Sequence, residues 1–164
     1  MSDSLLPLDF AEKFPSGKYK ALPQGGGLVA LQLTSAQLLA LQTTAVQLVP
    51  APTIGGAYQL YPTTLYAEYV YKTTAYTIGN ADNAFQIEYT GKTTALISMT
   101  VTSLVDQTAS TNCVVQATVA GSKISKANSS SLGLEVKLVG TTAALTLGDG
   151  VVNLVLGYDA ITLF

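Results

Sequence analysis

Hydrophobic residues alternate with small or polar ones over short stretches along most of this sequence. Residues 29–34 and 85–89 follow this pattern, and in 134–138 Leu and Val alternate with Glu and Lys. Because successive side chains of a β-strand point to opposite faces, a period of two predicts strands with one buried face. About eight to ten such stretches, separated by turn-forming residues, predict an all-β fold: an antiparallel β-sandwich or jelly roll.

Three stretches interrupt this period. Ser35–Leu41 is short enough for one helix with Ser35 as its N-cap, although the pattern leaves helix and strand both open. Residues 50–65 contain prolines, glycines and tyrosines and predict an irregular crossing between elements. Gly148-Asp149-Gly150 predicts a hairpin turn that joins residues 145–147 to a strand starting at Val151.

The beginning of the chain has a different composition. Prolines and a run of three glycines at 25–27 interrupt the first 27 residues. This composition predicts an extended N-terminal arm without regular structure over 1–27, and it places the β-sandwich domain at 28–164. Disordered tails are usually poor in aromatic residues, so three aromatic anchors predict that the arm docks on another surface: Phe10, Phe14 and Tyr19.

Charge is scarce and unevenly placed. The stretch from Ala21 to Ala67 contains no charged residue, and charged residues make up 11% of the chain, against about 25% in average proteins. Soluble surfaces normally carry interspersed charges. The uncharged run therefore predicts a region covered partly by the core and partly by another subunit. The net charge of −2 and the absence of Arg argue against nucleic-acid binding, and no apolar stretch is long enough to predict a membrane span.

Few groups are suited to catalysis. The chain has no His, which excludes Ser-His-Asp and Cys-His sites. Cys113 lies in an apolar strand pattern that predicts a buried, inert thiol. Glu68 and Glu88 are the best candidates for the paired carboxylates of a polysaccharide-cleaving enzyme, but solvated, outward-facing strand positions account for both. We expect no enzymatic activity, no cofactor and no metal site.

Tyrosine is concentrated between residues 58 and 76. Tyrosine rings anchor protein interfaces and also bind sugars. Because sugar sites usually recruit Trp, which the chain lacks, we favour an interface. The residues predicted to contact other subunits are Phe10, Phe14, Tyr19, Leu31, Gln32, Gln47, Tyr58, Tyr61 and Tyr66.

Two segments resemble a known family. The first runs from Leu48-Val49-Pro50-Ala51-Pro52 to Gly79, and the second runs from Leu145 to Tyr158 through Gly148-Asp149-Gly150. Over about Leu33 to Ile161 the chain is similar to the capsid decoration (cement) proteins of tailed bacteriophages. The motifs are strand and turn patterns, and the arm before residue 28 lies outside the resemblance.

This resemblance implies a jelly-roll-like virion protein that forms a homotrimer on the major capsid protein, at the exterior of a phage head. It assigns no catalytic, cofactor or metal-binding residues. Synthesis in the host cytoplasm fits a chain with one cysteine and no secretory signal pattern. An alternative within the virion is a tail fibre or baseplate module whose Tyr-rich block binds a host glycan or receptor.

Overall fold

Two antiparallel β-sheets and one short helix make up the described chain. The computed structural model describes residues 19–21, 26–51, 58–79, 83–116, 132–140 and 145–162. The strand order of sheet one is β1 (Tyr19–Ala21), β2 (Gly26–Leu33), β9 (Val151–Thr162), β4 (Tyr58–Val70) and β7 (Thr111–Gln116). The strand order of sheet two is β3 (Val46–Val49), β8 (Leu134–Val139), β5 (Ala84–Tyr89) and β6 (Ala95–Thr100). Helix α1 (Ser35–Ala40) connects β2 to β3.

The prediction of an all-β fold is confirmed, and the core lies between the two sheets. Leu154 and Leu156 of β9 are fully buried, and so are Phe85 and Ile87 of β5. Side chains from both sheets belong to one hydrophobic cluster, as expected for sheets packed face to face. Burial of apolar surface stabilises a fold by about 25 cal/mol per Å². The hydrophobic residues that alternate along each strand are therefore the residues that pack between the two sheets.

The short element after β2 is a helix. Its N-cap is Thr34, whose Oγ1 accepts a hydrogen bond from Gln37 N (3.3 Å), while Gln37 Oε1 accepts one from Thr34 N (2.9 Å). This reciprocal pair is a capping box. The prediction of Ser35 as the cap is wrong by one residue, because the Gln three positions after Thr34 completes the box only there.

Strand β4 begins earlier than the sequence indicates. The prediction of an irregular crossing over 50–65 is wrong from Tyr58 onward, where β4 starts. Pro62 lies inside the strand at a register shift between Pro62 and Thr64, so Thr63 is the extra residue of a bulge. A bulge interrupts the hydrogen-bonded ladder at a residue that cannot donate to it. The proline therefore marks a bulge and not the end of a strand.

Gly148-Asp149-Gly150 does not form the predicted hairpin. Thr146 pairs with Thr77 through backbone hydrogen bonds of 2.8 and 3.1 Å, and β9 pairs with β2 and β4. Gly148 has a φ of +84°, and a Cβ at this position would lie 2.5 Å from ring carbons of Tyr76. Only glycine tolerates both the positive φ and the close approach of the Tyr76 ring. Hairpin turns also require glycine for positive φ, so the two kinds of turn look alike in sequence.

Part of the predicted arm is regular. Tyr19–Ala21 pair with Gly27–Val29 as the first two strands of sheet one, so the prediction of no regular structure over 1–27 is wrong for these positions. A Cβ on Gly27 would lie 2.6 Å from Tyr158 Oη. The glycine therefore serves a close approach within the sheet. Residues 1–18 lie outside the described residues.

Candidate functional site

The outer face of sheet one is formed by residues that point away from the core in β2, β9, β4 and β7. Strand register aligns these residues in rows across the sheet. Most of those whose side chains are described are half-buried or exposed, and one carboxylate, Glu68, lies among them. We call this surface the central face. It consists of Leu28, Ala30, Gln32, Thr64, Tyr66, Glu68, Val70, Asn112, Val151, Asn153, Val155 and Gly157.

Hydrogen bonds join one row of the central face. Gln32 Nε2 donates to Asn153 Oδ1 (2.9 Å), and Asn153 Nδ2 donates to Glu68 Oε2 (3.0 Å). Asn153 is 5% exposed although it lies on the outer side of the sheet. Its two neighbours satisfy the amide as the burial of a polar group requires. The row therefore has a donor end at Gln32 on β2 and an acceptor end at Glu68 on β4.

Three of the predicted interface residues share this side of sheet one. Gln32 is exposed and Tyr66 is half-buried in the central face. Tyr61 is half-buried and lies opposite Asp159, farther along the same side. Desolvation raises the pKa of Tyr66 above its ordinary 10.0, and the charge of Glu68 raises it further. The uncharged run thus contributes part of one continuous surface.

The other predicted interface residues are not brought together with these three. Leu31 packs against the hydrophobic core, because strand alternation turns it away from the side that Gln32 occupies. Gln47 is exposed on β3 of sheet two. Tyr19 and Tyr58 lie in β1 and β4, with only their backbone described. Phe10 and Phe14 lie outside the described residues.

The Tyr-rich block contributes to the core. Tyr69 and Tyr76 are 0% and 2% exposed. The ring of Tyr69 makes edge-to-face contacts with Tyr71 and Tyr76, at centroid distances of 6.5 and 6.1 Å. Tyr76 Oη donates to Gly150 O (2.7 Å), and burial raises the pKa of this phenol. These three rings therefore do not form an exposed platform on which a sugar could stack.

Asp149 ties the segment after β4 to the turn before β9. Its carboxylate accepts hydrogen bonds from Thr73 N (3.0 Å), Thr74 N (2.9 Å) and Thr73 Oγ1. The hydrogen bond from the Thr73 hydroxyl, followed by the two backbone hydrogen bonds, lowers the pKa of Asp149 to about 2. Three donors already occupy this carboxylate, which indicates a structural role.

The two candidate catalytic carboxylates lie on different sheets and do not form a pair. Glu68 belongs to the central face, whereas Glu88 lies on β5 of sheet two. The prediction that Glu88 is solvated is wrong, because its side chain is 2% exposed and its Oε2 has no hydrogen-bond partner. Burial raises the pKa of Glu88, Lys137 lowers it, and Glu135, directly opposite on β8, raises it. An interior strand is flanked on both sides, so an outward position there need not reach water.

Cys113 is half-buried on β7 and packs against the core. The prediction that the Cys113 thiol is buried is therefore wrong as to full burial, because β7 lies at the edge of sheet one. Within the described ranges, no group of three or more His, Cys, Asp and Glu side chains is placed to hold a metal ion. In the same ranges, no helix has the length and hydropathy of a membrane span.

Two features of these surfaces were not predicted from the sequence. Asn153 had a visible signal, since it is the one polar residue within the apolar run from Val151 to Leu156. The pairing of Glu88 with Glu135 had no local signal. These two carboxylates are far apart in the sequence and become neighbours only through the pairing of β5 with β8.

Comparisons with known proteins do not assign the chain to a family. No protein-family model matches the sequence, and no curated protein matches it.

Proposed function

We propose that this chain is a structural protein of a tailed-bacteriophage virion, folded as a jelly roll, that decorates and stabilises the capsid exterior as a homotrimer. Strand order is the observation that carries this proposal. Jelly rolls place eight strands in two sheets, with the first strand paired to the last and so on inward. The pairs β2–β9, β3–β8, β4–β7 and β5–β6 follow this nested order, with β1 added at one edge.

A fold does not by itself determine a function, so the surfaces have to distinguish among the uses of a jelly roll. The fold recurs in viral capsids, lectins and metal-binding cupins. Histidine, a common metal ligand, is absent from the sequence. Tyr69 and Tyr76, which a lectin could use for stacking, are buried. A structural role fits best, because the cores of permanent interfaces are depleted in charge, as is the central face.

Stabilisation of a shell would come from buried area repeated over a lattice. An obligate interface buries more than about 2,000 Å², and each decorating trimer would tie neighbouring capsid subunits together. We include an arm contact in the proposal. Since β1 already belongs to the sandwich, the arm that reaches the major capsid protein is limited to residues 1–18, with Phe10 and Phe14 as anchors.

Labelling the protein in intact particles tests the proposed location. A gold-labelled antibody against the chain should mark many sites over the head in electron micrographs. A few labels confined to the tail would overturn the head assignment in favour of a tail fibre or baseplate module. Particles that carry no label would remove the virion role altogether.

The same particles test the arm. Heads that lack the protein are incubated with the full chain or with a chain lacking residues 1–18. The full chain should sediment with the heads, and the shortened chain should remain in the supernatant. Equal sedimentation of both chains would remove the arm from the proposal.

A further inference from the structure

The two outer faces of the sandwich differ in charge. The outer face of sheet two carries the half-buried Glu135 and Lys137 on β8, beside the buried Glu88 of β5. The central face of sheet one carries Glu68 alone, and an amide N–H of Asn153 already donates to that carboxylate. Surfaces that stay in water usually carry interspersed charges of both signs. Sheet two has this property and the central face lacks it.

Apart from Glu68, the charged residues in the strands of sheet one lie at the margin of the central face. Lys20 is at the edge strand β1, opposite Leu28, and Asp159 is toward the far end of β9, opposite Tyr61. A centre that is poor in charge, here with Glu68 as its one carboxylate, and a charged, solvent-accessible margin are the usual anatomy of a protein–protein interface. The distribution of charge therefore indicates that another protein surface covers the centre of this face.

The hydrogen-bonded row specifies what that surface offers. Gln32 retains a second amide N–H, and Glu68 retains carboxylate lone pairs after accepting from Asn153. The donor end and the acceptor end of the row are two strands apart. Consider a second copy that faces this one and is rotated by 180° about an axis between the two faces, parallel to the strands. Glu68 of that copy would then lie over Gln32 of this one, and its Gln32 would lie over Glu68. The row is therefore complementary to itself under a two-fold rotation.

We propose that the central face packs against the central face of a second copy of this chain, around a two-fold axis that passes over Asn153 of β9. In such an isologous contact each residue pair occurs twice. Gln32 of each copy would donate to Glu68 of the other. Apolar rows lie on both sides of the amide row, with Val70 and Val151 on one side and Val155 on the other.

The area of the face is adequate for such a contact. At about 4.8 Å between strands and about 3.3 Å per residue, the four long strands of sheet one cover roughly 600 Å² in projection. Accessible surface exceeds the projected area, and a standard interface buries about 800 Å² on each partner. The outer side of sheet one as a whole is therefore of the size that such a contact needs.

This contact does not require the virion role, although both proposals draw on the low charge of the central face, and it differs from a trimer contact. A three-fold axis joins two different patches of neighbouring copies, whereas a two-fold axis joins a patch to itself. The two-fold contact would thus join copies in pairs, and with two-fold axes perpendicular to a three-fold axis it would pair two trimers. The chain should occur in solution at even multiples of its 17.0 kDa mass, as two copies or as two trimers.

Solution mass of the full chain and of two matched variants tests the contact. Val155 of the central face and Val139 on the outer face of sheet two are both half-buried valines on strands. Val155→Lys places a charge inside the proposed contact and should halve the mass measured by light scattering. Val139→Lys should leave the mass unchanged. Circular dichroism of both variants checks that they remain folded.

A second pair of variants tests the two-fold arrangement of the row. Gln32→Glu sets a carboxylate at position 32 against Glu68 of the other copy and should halve the mass. Adding Glu68→Gln reverses the donor and acceptor ends in both copies and should restore the original mass. Because the two side chains also share Asn153 within one copy, urea denaturation of both variants is measured alongside the mass. Recovery of the mass without a parallel recovery of stability indicates that positions 32 and 68 meet across copies.

Three outcomes would overturn the inference. The first is a wild-type mass of one or three copies that does not double at protein concentrations of tens of micromolar. The second is an equal change of mass in the two lysine variants, and the third is a Val155→Lys variant that keeps the wild-type mass but no longer binds heads. The last result would mean that the shell covers this face. A doubled mass in a protein that labels no particle would instead support the contact and overturn the virion role.

Discussion

Glu88 has a carboxylate that is 2% exposed, with one oxygen lacking a hydrogen bond. The charged groups facing it are Glu135, directly opposite on β8, and Lys137, the next outward residue of that strand, while β6 presents Ala95. Leaving a buried acceptor unpaired costs about 1–3 kcal/mol. Substituting Glu88 therefore measures how much the burial of its charge costs in unfolding free energy.

Glu88→Gln should stabilise the protein at neutral pH by about 1 kcal/mol, because the amide carries no charge to desolvate. Burial raises the folded-state pKa of Glu88 above the ordinary 4.5. The folded state therefore binds the proton more tightly than the unfolded state. The stability that protonation contributes is complete below pH 4.5 and is lost as the pH rises through the folded-state pKa. Urea denaturation between pH 4 and 8 should show the variant's advantage growing with pH.

Glu135→Gln is the control for this measurement. Glu135 Oε1 accepts a hydrogen bond from Gly91 N (3.2 Å), and a Gln side-chain oxygen can accept the same bond. The variant keeps the buried carboxylate of Glu88 and should keep most of the fall in stability with pH. A Glu88→Gln profile parallel to that of the wild type would show that the carboxylate is not desolvated.

At the scale of elements, two turns contain a glycine with positive φ. Comparing substitutions at these two glycines distinguishes the cost of backbone strain from the cost of a steric clash. Gly148 and Gly91 have φ angles of +84° and +72°. A Cβ at Gly148 would overlap the ring of Tyr76, whereas a Cβ at Gly91 would meet no atom within 4 Å. The two turns therefore form a matched pair.

Gly91→Ala should cost about 1–2 kcal/mol in unfolding free energy, from the left-handed backbone alone. Gly148→Ala should cost about 1–3 kcal/mol more, because the ring of Tyr76 must also move. Chemical denaturation of both variants measures the difference. Equal losses at the two positions would show that Tyr76 does not hold the turn.

Strand existence was more predictable than strand boundaries. Alternation located β5 and β8 to within a residue, since each has one face in the core. The start of β4 was missed because Pro62 and Thr63 break the period, although a bulge accommodates them. The Gly-Asp-Gly turn was predicted to be a hairpin because the residue types of a turn indicate its backbone angles but not which strands it lies between.

At the scale of the whole molecule, β9 is the central strand of sheet one and contributes to the core shared by both sheets. Leu154→Ala should lower the unfolding free energy by about 2–5 kcal/mol, because a fully buried side chain leaves a cavity. Thermal unfolding followed by both near- and far-ultraviolet circular dichroism measures the loss. A single transition is expected, since the sheets share one core.

Leu147→Ala provides the comparison, because Leu147 is 68% exposed. Its effect should stay within about 0.5 kcal/mol, the usual range for surface substitutions. If Leu154→Ala unfolded in two separate thermal transitions, with only the first moved by the substitution in sheet one, the two sheets would not share a core.

The sequence by itself determined the fold class, most of the strands and the scarcity of charge, because side-chain period and composition are local properties that survive any arrangement of the strands. The tertiary structure decided which strands became neighbours. Pairing β2, β9 and β4 joined Gln32, Asn153 and Glu68 into one row, and pairing β5 with β8 set Glu88 against Glu135. Such contacts depend on register between distant segments, and register is selected by the packing of the whole core.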